Sequence, residues 1–306
     1  MKDLLISHVA DIDGVSPVIL MKLTHADFDY ELKDIDEMEV YMNELLNSDL
    51  SIYNNIYITD LTVPKTIYNK INNSEYKDKF KVFDHHQTHM YAADLSYVTI
   101  DINECGSSLF YNYLSKKYKF KKSVKQYIEH VKNLDIWLWQ EKNDIIAKQL
   151  GDLFGMYGKN RYIEEMYLRL KKSKKFKLNT FENKLLSLEQ EKIERYISKK
   201  EEEMFIIEYE GYKAGLIFCE RYKSEMGNTL SLKHDELDFI IMINVAGGIS
   251  LRCSKDIDLS IIAEKLGGGG HKKACGAPIN EEVKEEFIHN LFKGCVILEN
   301  KKSSNG

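Results

Sequence analysis

No run of apolar residues in this chain is long enough to span a bilayer, and no membrane partner is expected. Paired cysteines are missing as well. The five present (Cys105, Cys219, Cys253, Cys275 and Cys295) are odd in number, widely spaced and form no CxxC motif. Neither a disulfide framework nor a zinc ribbon is therefore expected. Signal-peptide character is lacking, because Lys2 and Asp3 stand in a strand-like first segment. A reducing cytoplasm is the expected setting. There is no basic excess either: the formal net charge is −5, which argues against a protein that coats long duplex nucleic acid. A small phosphorylated substrate remains compatible, since bound cations offset clustered carboxylates. No internal repeat is visible.

What is present is enough apolar material, 43% of 306 residues, for one large or two ordinary domains. Strands are expected at residues 4–7, 30–33, 56–59, 81–83 and 97–100, with helices at 16–23, 38–46 and 65–71 between them. Such alternation reads as βαβ units around a mainly parallel sheet. From Gly106 the pattern turns helical, over 107–118, 123–133, 144–153 and 161–170, and then a long polar helix over 181–203 of the kind that bridges domains. Strands return at 205–209, 212–218, 239–245 and 249–253 as two hairpins, followed by helices at 259–266 and 281–292. The expectation is a two-domain α/β protein: residues 1–180, a helical linker 181–203, and a smaller domain 204–300 with a mixed sheet.

Three of the first strands end in the same way. Residues 4–7 run into His8, Asp11 and Asp13; residues 56–59 run into Asp60; residues 81–83 run into Asp84-His85-His86. Asp and His are poor strand formers, and ionisable groups in a row need partners or water. Taken singly, an acid at a strand exit is a turn residue or a helix cap. Three such exits in order point instead to a metal site at the carboxyl edge of the sheet, where ligands of parallel sheets bind. Carboxylates with imidazoles and no thiolate suit Mn²⁺, and less specifically Fe²⁺, Co²⁺ or Zn²⁺. Asp11 and Asp13, two apart on a tight turn, can serve different metals; Asp60 can bridge them; His8 and His85 can complete the two shells. Asp135 is the best candidate for a fourth carboxylate, with Trp137 and Trp139 either walling the site or packing. His25 and His89 fall outside these motifs and are read as ordinary histidines. In the second domain, Gly267 to Gly270 and His271 read as a backbone nest for an anion, with Arg252 as a clamp for phosphate. Six lysines between residues 116 and 125 and five between 171 and 177 read as solvated helix ends.

The series His8…Asp11-Ile12-Asp13-Gly14, Asp60, Asp84-His85-His86 and Asp135 resembles the four motifs of DHH phosphoesterases. Gly267-Gly268-Gly269-Gly270-His271…Ala274…Gly276 resembles the signature of the associated DHHA1 domain. Asp135-Ile136-Trp137 and Ser224-Glu225-Met226-Gly227-Asn228 look closest to the bacterial oligoribonuclease (nanoRNase) group. One departure is that two residues separate His8 from Asp11, where relatives commonly have three or one. The resemblance implies two divalent metal ions, expected to be Mn²⁺. His8, Asp11 and Asp60 would hold one; Asp13, Asp60, His85 and Asp135 the other. It makes His86 and Asp84 catalytic, His86 facing the scissile phosphate and Asp84 orienting a histidine. Arg252, Gly268, Gly269, Gly270 and His271 would bind substrate. The implied reaction is hydrolysis of short RNA or DNA oligonucleotides to nucleoside 5′-monophosphates by two-metal activation of water. Alternatives are a 3′-phosphoadenosine 5′-phosphate phosphatase, a cyclic or linear dinucleotide phosphodiesterase, and a nucleotide-binding regulator without turnover. A homodimer is left open.

Overall fold

The structure, a computed structural model, describes residues 1–25, 27–61 and 63–297. The chain divides into two compact units, Met1–Leu186 and Ser187–Gly306.

In the first unit, β1 (Lys2–His8) leads through α1 (Ile12–Thr24) to β2 (Phe28–Lys33), α2 (Met38–Leu46), β3 (Tyr53–Thr59), α3 (Lys65–Asn72), β4 (Phe80–Asp84) and β5 (Val98–Ile100). The five strands form one parallel sheet in the order β2-β1-β3-β4-β5. Consecutive strand residues point to opposite faces, so a continuous apolar run fills two cores at once. Leu5, Tyr57 and Phe83 pack on one face against α1 and against α4 (Gly106–Ser115) and α5 (Lys122–Asp135). Leu4, Ile6, Ile56, Ile58 and Val82 pack on the other, with Met38, Met42, Ile67 and Ile71 of α2 and α3. Strand order reverses between β1 and β3, and that gap at the carboxyl edge is where ligands settle in such sheets. α6 (Ile145–Tyr157) and α7 (Lys159–Lys172) complete the helical side, with Leu150, Leu153, Tyr162 and Met166 in the first core.

α8 (Thr180–Glu202) covers nearly all of the expected linker, and the division between the units falls inside it. Its Leu186 joins the first core, whereas Ile193 and Ile197 join a core of the second unit. There, β6 (Phe205–Tyr209), β7 (Tyr212–Phe218), α9 (Lys223–Lys233), β8 (Phe239–Asn244), β9 (Gly248–Arg252), α10 (Leu259–Lys265), β10 (Gly269–His271), β11 (Ala274–Ala277) and α11 (Glu281–Leu291) follow. The sheet order is β10-β11-β9-β8-β7-β6, antiparallel except for the β7–β8 pair. Both expected hairpins are present. Residues 298–300, the end of the expected second domain, lie outside the described residues. α9 was not anticipated: Gly227, Asn228 and Thr229 are poor helix formers, and packing of Met226 and Leu230 holds the helix in place. Among the described residues no helix is long and apolar enough to cross a membrane.

Candidate metal centre

The strand exits converge at the reversal between β1 and β3. His8 is the last residue of β1. Asp11 caps α1, its Oδ1 accepting from the Gly14 N–H at 2.9 Å, while its Oδ2 stands 3.6 Å from His8 Nδ1. The carboxylate thus serves both as a helix cap and as a member of the cluster. Asp13 is 1% exposed and is clamped by the start of α4. Gly106 N–H donates to its Oδ2 at 2.7 Å, and Ser107 N–H and Oγ–H donate to its Oδ1 at 2.9 and 2.5 Å. Asp60 lies one residue past β3 in the left-handed region, φ +55°. Asp and Asn tolerate that conformation better than most residues, and an outlier held there points to a functional constraint. Its Oδ2 is 3.5 Å from His8 Nδ1 and its Oδ1 is 3.3 Å from His85 Nε2. A side chain at Gly106 would strike the Cβ of Asp60, so only glycine lets α4 begin this close. Asp135 ends α5 with Oδ2 3.3 Å from His85 Nε2.

Six expected residues therefore form two clusters, His8-Asp11-Asp60 and Asp13-His85-Asp135, each with ligand-type atoms within 4.8 Å of one another. Asp60 reaches the histidine of each. Among the described residues Asp11, Asp60 and Asp135 form ion pairs with histidines alone, and Asp13 forms none. Burial, and then the charge of Asp60, raises Asp13 to about 7. Burial and the charge of Asp13 raise Asp135 to about 8. Donation to the carboxylates of Asp11 and Asp60 lifts His8 to about 10. Burial works against the charged form of His85, but Asp60 and Asp135 outweigh it and lift it to about 9. His85 Nε2 and Asp135 Oδ2 are buried without a hydrogen-bond partner. Four crowded carboxylates, two imidazoles and two orphaned ligand atoms fit a pair of divalent cations, whose charge would balance the acids.

Asp84, fully buried, organises the neighbouring histidines. Its Oδ1 accepts from the N–H groups of His85 (2.8 Å) and His86 (3.2 Å) and from His86 Nδ1–H (2.8 Å); its Oδ2 accepts from His89 Nδ1–H. Burial opposes ionisation of Asp84, but the bonds from His86 and His89 hold its carboxyl well below the usual range. Among the described residues no hydrogen bond reaches His86 Nε2, and the side chain is 42% exposed. His89, an ordinary surface or core histidine by sequence, is a buried partner of Asp84; its signal is its place three residues after His86, in the tight turn Gln87–Ala92. Ser107, which holds Asp13, gave no sequence signal. Asp34, 3.7 Å from His8 Nε2, was also unforeseen. His25 sits with Asp3 and Tyr118, away from the site.

In the second unit the glycine run is not an open loop. Gly267 and Gly268 N–H groups donate to Glu264 and Ala263, and Gly269, Gly270 and His271 pair with β11. The nest expected over the whole run is thus partly occupied by the protein's own carbonyls. His271 is exposed and lies opposite Ala274, which lies opposite Arg252 on β9. Residues paired across antiparallel strands share a face, so imidazole and guanidinium flank the small Ala274 on one side of the sheet. Arg252 runs past Gly227 of α9, where a side chain would collide with its Cγ.

The DHHA1 domain model matches residues 224–296. The chain is 32% identical over 297 residues to oligoribonuclease NrnB of Bacillus subtilis, covering 92% of this chain and 74% of that protein. Among solved structures, a pGpG-specific phosphodiesterase, PggH from Vibrio cholerae, aligns with TM-score 0.56 at 13% identity over 95% of this chain and 97% of its own. The DHH domain of a member of the s1p family of ribosomal proteins aligns with TM-score 0.54 at 16% identity, over 95% and 87%. With that relative matched over most of its length, and with both signatures in place, the chain belongs to the DHH/DHHA1 phosphoesterase family of hydrolases.

Proposed function

We propose that this protein hydrolyses short oligonucleotides, RNA or DNA, to nucleoside 5′-monophosphates in the cytoplasm. The observation that carries the reading is the pair of acid–imidazole clusters with Asp60 reaching into both, beside a histidine locked by Asp84. Similarity to an oligoribonuclease supports the substrate class. His8, Asp11 and Asp60 hold one divalent ion; Asp13, Asp60, His85 and Asp135 hold the other. Mn²⁺ is the ion assigned to both positions. Such a pair supplies an activated water at neutral pH and offsets charge on the phosphoryl group. The chain's own part is positional. Gly14 and the start of α4 fix Asp11 and Asp13 in orientation. Asp84 accepts from His86 Nδ1–H and favours the imidazolium, whose Nε2–H can then donate to a phosphate oxygen. Arg252, Gly269, Gly270 and His271 bind the terminal nucleotide and its phosphate, which favours short substrates, while Gly268, its N–H already taken by the Ala263 carbonyl, permits the close approach to β11.

The test is a product assay on Mn²⁺-loaded protein, with a 5′-phosphorylated dinucleotide, a long RNA, 3′-phosphoadenosine 5′-phosphate and cyclic dinucleotides in parallel. Rapid mononucleotide release from the dinucleotide and slow attack on the long strand are expected. Asp60→Ala should lower turnover by at least about a hundredfold, since even outer-shell partners of metal ligands cost up to that much. Near-wild-type turnover in that variant would remove Asp60 from the centre. Preference for another substrate would keep the centre and reassign its pocket.

A further inference from the structure

We infer that the two lysine runs form a single docking surface for the backbone of RNA longer than the substrate. Residues 116–125 and 171–177 are about 50 positions apart, yet the fold joins them. Lys121 Nζ donates to the Lys171 carbonyl, Ser123 Oγ to the Ser173 carbonyl at 2.7 Å, and the Phe176 N–H to Gln126 Oε1 at 3.0 Å. The eleven lysines of the two runs are all exposed, and neither run contains an acid.

Their density sets them apart: among the described residues twelve further lysines also lack a carboxylate within 4.0 Å, but none of those stands in a run of five or more. Thirteen other lysines have a carboxylate within 4.0 Å, from Lys2 to Lys284. Among the described residues, none of these eleven does. A net charge of −5 that includes eleven clustered positives leaves −16 on the rest of the chain. The surface is therefore a local inversion of the protein's field, and a strong attractor for polyanions.

The position of the charge conflicts with local preference. Lys121, Lys122 and Lys125 crowd the N-terminus of α5, which has no acid in its first turn. That end of a helix carries partial positive charge and favours anions, so the lysines destabilise the free protein there. A bound phosphate row would relieve that repulsion and the mutual repulsion of the clustered lysines. Such mismatches between local rule and sequence are expected at functional sites. α5 also sets the distance. It runs 14 residues from this surface to Asp135, roughly 20 Å at 1.5 Å per residue. A dinucleotide held at the centre is too short to bridge that span, which assigns the surface to a longer strand. An anionic membrane would also meet the charge, but the apolar residues amid the lysines, Tyr118, Phe120 and Phe176, pack into the first core and leave no apolar face to insert.

The identity of the strand as RNA rests on the proposed nuclease reading; the polyanion surface itself does not. The test is fluorescence anisotropy of a labelled oligo(U) strand of about 20 nucleotides, long enough to cross the surface. It uses Mn²⁺-loaded protein carrying Asp60→Asn, so that the strand survives. Vesicles of phosphatidylserine and phosphatidylcholine form a second arm. The expected result is binding whose affinity falls steeply with salt. Lys119→Glu, Lys122→Glu and Lys174→Glu together should weaken it at least about tenfold and flatten the log–log salt slope by roughly 0.7 per lost contact. The same triple change in otherwise wild-type protein should leave dinucleotide turnover unchanged and should not lower the melting temperature, since Lys122→Glu places an acid at the start of α5. No strand binding, binding indifferent to the triple change, or binding to vesicles alone would overturn the inference. Strand binding through these lysines, without dinucleotide turnover by wild-type protein, would sustain the surface and defeat the nuclease reading.

Discussion

Asp84 never needs to touch substrate to matter. It is a carboxylate buried at the end of β4, kept charged by four donors, and one of those donors is His89. His89→Phe keeps a planar ring, somewhat larger than imidazole, and removes the donor. With a buried acceptor left short of one bond, a loss of about 1–3 kcal/mol in urea unfolding is expected. Turnover should fall about 10- to 100-fold as the His86 ring loses its anchor, and His89→Gln, which retains a donor, should recover part of both. Unchanged stability and turnover in the Phe variant would show that three donors suffice. The residues around Asp84 also mark what a sequence can disclose. Asp84-His85-His86 is conspicuous because three ionisable groups at a strand exit contradict strand preference. His89 and Ser107 are silent because one histidine in a turn, or one serine at a helix start, is locally unremarkable. Only the fold brings them to an acid.

Elements show the same division. The five parallel strands and the two hairpins were legible, since apolar runs and glycine turns repeat with the strand period. α9 was not, because nothing in Gly227-Asn228-Thr229 favours a helix and its stability comes from burial against β8 and β9. The glycine run was legible as a place of close approach, while its pairing with β11 depends on a partner strand that periodicity does not identify. Gly227 is the point where helix and strand meet. Its open space holds the base of the Arg252 side chain, the part least able to swing away. Gly227→Ala improves helix propensity by about 1 kcal/mol, yet it must displace Arg252 or push α9 outward. A rise of about tenfold in KM for the dinucleotide is expected, with kcat retained, if Arg252 grips phosphate as proposed. An unchanged KM with a higher melting temperature would show that propensity wins and that the guanidinium is not a substrate contact.

For the molecule as a whole, the acid–imidazole centre dictates how stability depends on pH. In the metal-stripped protein, His8 and His85 rise from 6.5 to about 10 and about 9 through Asp11, Asp60 and Asp135. Their stabilisation is complete below pH 6.5 and drains away as pH climbs through those values. Asp13 and Asp135, at about 7 and about 8 against an ordinary 3.8, also keep protons that the unfolded chain has already lost. All four groups bind more protons in the folded state, so the slope of unfolding free energy against pH is negative from roughly pH 6 to 9. Asp84, held low, contributes its loss only in acid and leaves this window untouched. Metal ions need the same groups deprotonated, so binding must release protons and tighten as pH rises. Melting temperatures of chelator-treated protein should therefore fall from pH 6 to 9, those of Mn²⁺-loaded protein should hold or rise, and the gap between them should widen. Calorimetric metal titrations in two buffers of different ionisation enthalpy would count the protons released. A flat metal-stripped curve with no proton release would mean that the four groups do not share one centre, and the two-ion assignment would fall with it.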